Sequence, residues 1–183
     1  EFNFFTERSF QECLEFLEYY AEPLEAAERI FKVDAEYITS TLKIESNLGK
    51  NNGNRHLLNT FVSMYMLTNR KSFSFNELKI ILEDSNKIDP FTKGSYGGAF
   101  SPAQSIPSSW VAFSVDFDSN GVKDPSSIVD AIGFTGNYLY QLNFQKDKKK
   151  ALYAYNHDWH YVESVDSHAI ILKKRNQERL SQP

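Results

Sequence analysis

Glu45 lies in the run Lys43-Ile44-Glu45-Ser46-Asn47-Leu48-Gly49, seven residues after Ile38 and three after Leu42. In a helix that spacing puts its carboxyl on the apolar face, close to the C-terminal end. Partial desolvation and the negative end of the helix dipole both disfavour the ionised form there. The pKa is expected to rise, as a general acid working near neutral pH requires. Spacing alone leaves a second reading open, a helix-end glutamate that reaches solvent.

Three other segments carry groups that could do chemistry. From Gly94 to Trp110, small residues allow close backbone approach to a ligand, Ser95 and Gln104 offer a hydroxyl and an amide, and Tyr96, Phe100 and Trp110 offer flat faces. Such interleaving suits a sugar, with its hydroxyl edges and apolar ring faces. The glycines match neither phosphate-binding pattern, and a glycine-bearing loop leading into a helix near Pro102 is the plainer alternative. From Asp116 to Asp124, oxygen donors at Asp116, Asp118 and Asn120, Gly121 at the sixth position and the Val122 carbonyl at the seventh follow an EF-hand loop. Position twelve is Ser127 where a bidentate Glu would stand, and the next suitable carboxylate is Asp130. A cation site and a bare Asx-rich turn both remain open on spacing. Finally, Tyr153 to Tyr161 contains Tyr155, Asn156, His157, Asp158 and His160. With no nucleophile elbow and no H-E-x-x-H, the histidines are expected at the surface or at a helix cap, and a Tyr-Asn pair could point into a cleft.

The elements that must position these groups are mostly helical. Ser9 with Glu12 suggests a capping box opening a helix that buries Phe10, Cys13, Leu14, Leu17 and Tyr20. Pro23 fits the first turn of a second helix carrying Leu24, Ala27 and Ile30, and Asp34 can cap a third that Gly49 stops. Further helices are expected over 55–68, 75–83, 126–142 and 157–173. Alternating strand patterns are scarce, so the fold class is mainly α. Six of the eight glycines fall between Gly94 and Gly136, which predicts a turning segment there. The aromatics divide by position. Phe2, Phe4, Phe5, Phe10, Phe16, Tyr20 and Phe31 are expected to pack the N-terminal end, and Tyr96, Phe100, Trp110, Tyr153 and Tyr155 to flank the cleft.

At 183 residues the chain is long enough for one domain with a sizeable core. A net charge of −4 argues against a nucleic-acid partner, and the single cysteine, Cys13, excludes an internal disulfide or a cysteine-based zinc cluster. No run approaches the roughly 18 apolar residues needed to span a bilayer.

Taken together and in order, the four segments resemble the B-type membrane-bound lytic murein transglycosylases. That family shows a Glu-Thr-x-x-Gly helix ending, a G-S-F-A-G-A-M-G-x-x-Q-F-x-P-S-S stretch, an aspartate-rich calcium loop followed by D-A-I, and a late Tyr-Asn. The counterparts here are Glu45 to Gly49, Gly94 to Ser109, Asp116 to Gly121 with Asp130-Ala131-Ile132, and Tyr155-Asn156. Departures occur at Ser46, Phe100, Ser101 and Ser105, and at Leu142-Asn143-Phe144 where a Gly-Trp pair is usual.

The resemblance implies a lysozyme-like α+β catalytic core with an EF-hand-like metal loop. One domain over 1–183 is expected, with 1–30 as an N-terminal helical packing segment and 31–175 as the core. It implies Glu45 as the single general acid and base, with Ser95, Gln104, Tyr155 and Asn156 lining a glycan cleft. Asp116, Asp118, Asn120, the Val122 carbonyl and Asp130 would hold a structural calcium, or sodium in its place. The implied activity is lyase cleavage of peptidoglycan between N-acetylmuramic acid and N-acetylglucosamine, with a 1,6-anhydro product. A monomer in the periplasm or cell envelope is expected. A non-catalytic peptidoglycan-binding scaffold and a hydrolytic muramidase are the rival readings.

Overall fold

A helix whose residues from Glu36 to Lys43 are all buried must run through the middle of its domain. That helix is α3 (Ala35–Ser46), in a computed structural model that describes residues 4–83 and 88–181. Around it pack α1 (Glu7–Tyr19), α2 (Ala21–Phe31), α7 (Ile128–Gln141) and α9 (Trp159–Leu180). The other described elements are β1 (Arg55–His56), α4 (Leu57–Leu67), α5 (Lys71–Glu83), β2 (Lys93–Gly94), α6 (Pro107–Phe113) and α8 (Lys148–Tyr155). β1 and β2 pair antiparallel with Arg55 opposite Gly94, so the fold is mostly helical with one small sheet. Among the described residues no helix is long and apolar enough to cross a membrane. Phe2, assigned to the N-terminal packing, lies outside the described residues.

The apolar spacing of α1 holds, because Phe10, Cys13 and Leu17 are buried, but its cap does not. Thr6 caps the helix through its Oγ1, which accepts from the Ser9 N–H at 3.1 Å. Ser9 is itself inside the first turn and buried. Glu12, freed from a capping role, instead accepts from Lys43 Nζ at 2.6 Å. Leu14 and Tyr20 are only partly buried. In α2, Pro23 does occupy the first turn and Leu24 and Ala27 are buried, whereas Ile30 is exposed. Asp34 sits at the N-cap of α3 without capping it. Its carboxylate is drawn outward to Lys173 at 3.1 Å and Lys148 at 3.5 Å.

The end of α3 is what places Glu45. Asn47, Leu48 and Gly49 take φ of 54°, 58° and 81° in succession, so the left-handed stop begins two residues before the expected glycine. Gly49 is required for a different reason. A Cβ there would lie 2.6 Å from Ile128 Cδ1 and 3.4 Å from Pro102 Cγ. Ser46 ties the same turn to the 94–105 segment, donating to the Pro102 carbonyl at 2.6 Å and accepting from Gly49 N–H at 2.8 Å.

Two of the glycines that suggested a turning segment, Gly133 and Gly136, are inside α7, which matches the helix expected over 126–142. A Cβ on Gly133 would lie 2.6 Å from Phe117 and 2.7 Å from Val115, and one on Gly136 would lie 2.7 Å from Phe31. They serve close packing of a helix, and a count of glycines cannot tell that from turning. The helix expected near Pro102 starts at Pro107, and α8 is an element that the apolar spacing did not predict. α6 receives an unexpected cap: the buried Glu77 of α5 accepts from Ser108 N–H at 2.8 Å and Ser108 Oγ at 2.7 Å. That places a carboxylate at the helix N-terminus, where the dipole favours it.

Candidate active site

Glu45 lies at the last turn of α3 with its side chain half-buried. Burial pushes its carboxyl from the ordinary 4.5 up to about 7, against a smaller opposing pull from the Tyr161 hydroxyl. That hydroxyl is buried and forms no hydrogen bond of ordinary geometry, so it faces the carboxyl without being locked onto it. Tyr155 stands nearby, its ring roughly parallel to that of Tyr161 at 6.5 Å and edge-on to Tyr138 at 4.7 Å. Burial first, and the charge of Glu45 second, hold the Tyr155 and Tyr161 hydroxyls well above the usual range, so both stay protonated. The result is one carboxyl poised near neutrality beside two phenols in a low-dielectric setting.

Tyr155 connects this group to open space. Its hydroxyl donates to the Ala103 carbonyl at 2.6 Å, and its ring lines a cavity of about 280 Å³ with Gln104, Ser105, Ile106, Ser109 and Tyr138. Gln104 takes a positive φ of 48°, and its amide nitrogen donates to the Ser101 carbonyl at 2.9 Å, leaving the amide oxygen to accept. Ser101, at the position where the resembling family carries glycine, also takes a left-handed φ of 68°. Ser95 is turned into its own loop, with its Oγ accepting from Ala99 N–H at 3.1 Å and Gly97 N–H at 3.3 Å. Its O–H remains free to donate. The structure thus brings Tyr155 near Glu45 on one side and Gln104 on the other, while Glu45 itself does not line that cavity. Ser95 belongs to a turn whose Tyr96 and Gly97 line a different cavity, and Asn156 is exposed at the end of α8 and lines neither.

Phe100 and Trp110 are buried, not facing a cleft; Phe100 lies 5.8 Å from Trp110, which stacks on Phe134 at 5.5 Å. Phe100 is held by backbone bridges to Gly94 and Ser105 that point its ring inward, so these rings support the wall from behind. Tyr153 stacks on Trp159 at 4.7 Å across the α8 to α9 junction. Asp158 caps α9 by accepting from His160 N–H at 2.8 Å, which accounts for the histidine-rich segment without a triad or a zinc site. Tyr161 carries no sequence signal for its place beside Glu45: its position, three residues after the capping Asp158, marks the first turn of a helix but not what the ring faces.

The 116–130 segment gathers its oxygens as the loop spacing expects. One ligand atom from each of Asp116, Asp118 and Asp130 lies within 4.8 Å of the others. Gly121 makes the sharp turn at φ 92°, and Asn120 Oδ1 accepts from Val122 N–H at 2.8 Å. Asp130 is fully buried, with its two oxygens accepting from Phe117 N–H at 2.8 Å and Asp124 N–H at 2.7 Å. Desolvation raises its pKa. Each carboxylate oxygen keeps a further lone pair, and three carboxylates drawn this close repel one another unless a cation is shared. The donor set, all hard oxygens, fits a hard cation.

The sequence profile of the transglycosylase SLT domain matches residues 2–177. The chain belongs to the transglycosylase SLT domain family. Its relatives include the membrane-bound lytic murein transglycosylase B of Escherichia coli (strain K12), 27% identical over 155 residues, which are 82% of this chain and 43% of that protein. The SLT domain here therefore spans less than half the length of that relative. The soluble lytic transglycosylase SltB1 of Pseudomonas aeruginosa superposes with a TM-score of 0.89 at 21% identity, over 95% of this chain and 82% of that one. The lytic transglycosylase Slt35 of Escherichia coli, in a structure with calcium, gives 0.87 at 20% identity, over 94% and 77% of the two chains. The lysozyme-like lytic transglycosylase fold is thereby shared.

Proposed function

We propose that the protein is a lytic transglycosylase that cleaves peptidoglycan glycan strands between N-acetylmuramic acid and N-acetylglucosamine. The observation that carries this is a single half-buried carboxyl, Glu45, held near pKa 7 by burial at the end of the central helix of an SLT domain. Protonated, Glu45 donates to the glycosidic oxygen as that bond to C1 breaks. The carboxylate left behind then accepts the proton of the muramic 6-hydroxyl as that oxygen bonds C1, giving a 1,6-anhydro end and returning Glu45 to its acid form. A second catalytic carboxylate is not needed where the N-acetyl group assists, an established exception among glycosidases.

Around the reacting bond, Gln104 and Tyr155 bind the glycan in the 280 Å³ cavity, and Ser95 and Asn156, which do not line that cavity, would meet the strand only where it runs on beyond it. Tyr161 is a further residue of this reading, a protonated phenol that steadies the carboxylate when it forms. Asp116, Asp118, Asn120, the Val122 carbonyl and Asp130 hold a structural calcium or a similar hard cation. When bound, that ion supplies neutralising charge and rigidity behind α7 and takes no part in the reaction. The names of the relatives, lytic transglycosylases of murein, support work in the bacterial cell envelope.

Digestion of purified sacculi followed by mass spectrometry tests the reading. Anhydromuropeptides released by the wild type and lost in Glu45→Gln support it. Reducing ends would indicate a hydrolase, and binding without any soluble product a scaffold; either outcome overturns the lyase assignment.

A further inference from the structure

α4 packs chiefly on α5. Inward, α4 buries Leu57, Thr60, Phe61 and Met64, and α5 buries Ser74, Glu77 and Ile81. What the pair leaves outward is also apolar: Met66 is 66% exposed, Leu82 61% and Phe75 55%, and Val62 and Tyr65 are exposed as well. Helical spacing puts Val62, Tyr65 and Met66 on the side of α4 opposite Thr60 and Met64. In α5, Lys71, Phe75, Lys79 and Leu82 recur at four, four and three residues and share one face. The Tyr65 and Phe75 rings lie 6.1 Å apart, so the two faces join into one patch. A contiguous exposed apolar surface of this kind marks a contact.

The charge around the patch says with what. The chain carries a net −4, yet from Leu57 to Glu83 its cations are Arg70, Lys71 and Lys79 and its carboxylates only Glu77 and Glu83. Glu77 is buried and occupied by the N-terminus of α6, and Glu83 lies 3.6 Å from Lys79 in an exposed pair. Lys71 pairs with no carboxylate among the described residues. Apolar side chains flanked by such cations complement a bilayer surface with anionic headgroups, where lysine stems lie along the apolar layer and the ammonium groups reach the phosphates.

We propose that the outer face of α4 and α5 docks in the plane of an anionic bilayer surface. Met66, Phe75 and Leu82 enter the boundary of the acyl chains, and Lys71 and Lys79 meet the headgroup phosphates. None of these residues lines the cavity of Gln104 and Tyr155, so docking does not occupy that cavity. The proposal goes beyond the lyase reading and does not depend on it.

Co-sedimentation of the chain with two sets of vesicles tests this. One set is equal parts phosphatidylglycerol and phosphatidylcholine; the other is phosphatidylcholine alone. The wild type is expected to partition onto the anionic set about 10-fold or more strongly, the worth of two cations near such a surface. Phe75→Ser and Met66→Ser should each lower that partition by about 5-fold or more through lost apolar burial. Lys71→Gln should lower it by about 3–5-fold on the anionic set, with little change on the neutral one. All three side chains are exposed, so melting temperatures should match the wild type and separate a docking loss from misfolding. A wild type indifferent to headgroup charge, or variants that keep its partition, would sink the proposal. So would a dimer in vesicle-free buffer that Phe75→Ser abolishes, because that result assigns the face to a second copy of the chain.

Discussion

Glu45 illustrates how a single residue can trade stability for chemistry. Its folded pKa of about 7 stands above the ordinary 4.5, so the folded state prefers the neutral acid. The favourable contribution is complete below pH 4.5 and is lost as the pH rises from 4.5 through 7, at a total cost of about 2–3 kcal/mol. Glu45→Gln keeps the shape and cannot ionise. Urea unfolding should therefore find that variant more stable than the wild type by about 1–3 kcal/mol at pH 8, with the difference shrinking below pH 5. The same substitution should lower the rate of sacculus digestion by about 10²–10⁴-fold, and the wild-type rate should fall as the pH climbs past 7 and the acid loses its proton. Much of this was legible in the chain, because three- and four-residue spacing from Ile38 and Leu42 aims Glu45 at the core side. Of the two phenols that complete its surroundings, Tyr155 was expected at the cleft only through the family resemblance and Tyr161 was not expected there, since both come from elements more than a hundred residues downstream.

At the level of elements, the position of α3 depends on how its neighbours are pinned to it. Lys43 is almost wholly buried and is held by Glu12 of α1 and by Asn47 Oδ1, each at 2.6 Å. Its hydrogen bond is the main cause that lowers the Glu12 carboxyl to about 2. A lowered carboxylate stabilises above its ordinary pKa and loses that contribution as the pH falls from 4.5 through 2. Part of the Glu12 side chain meets solvent, so the screened worth is about 1–2 kcal/mol. Glu12→Ala should cost about 2–3 kcal/mol at pH 7 by circular dichroism melting, more than the pair is worth, because it leaves a buried ammonium with one partner. On the other side of α3, Gly133→Ala would force a methyl against Phe117 and Val115 where 2.6–2.7 Å is available. The expected loss is about 1–3 kcal/mol in denaturant, together with weaker calcium affinity, since Phe117 lies within the cation loop. Neither contact could be anticipated from spacing. Glu12 looked like a capping residue, and Gly133 fell both in the glycine-bearing stretch and in the helix expected over 126–142, which α7 bears out; what each side chain or Cα meets was decided by partners elsewhere in the chain.

On the scale of the whole molecule, the acidic 116–130 loop and the turn that follows Glu45 share the support of α7. Ile128, at its start, packs on the Gly49 turn next to Glu45, and Asp130 closes the acidic loop. Chelation with EDTA should therefore lower the melting temperature by about 5–10 °C, given a cation at roughly 100 times its dissociation constant and a chain of this size. Asp118→Ala, at an exposed ligand position, should remove most of that difference; a melting temperature indifferent to chelator would exclude a structural ion. What the chain determined by itself was local and periodic: a mainly helical fold, an acid at a helix end, oxygen donors at loop spacing and a glycine-bearing turn, because spacing within a helix or a tight loop is fixed by backbone geometry. What only the tertiary structure decided was which groups meet. Phe100 and Trp110 went into the core, Tyr161 came to face Glu45, Glu77 capped α6 from α5, and Arg55 and Arg70 were left unneutralised around one cavity. Each of these depends on how distant elements pack, which side-chain spacing along the chain does not encode.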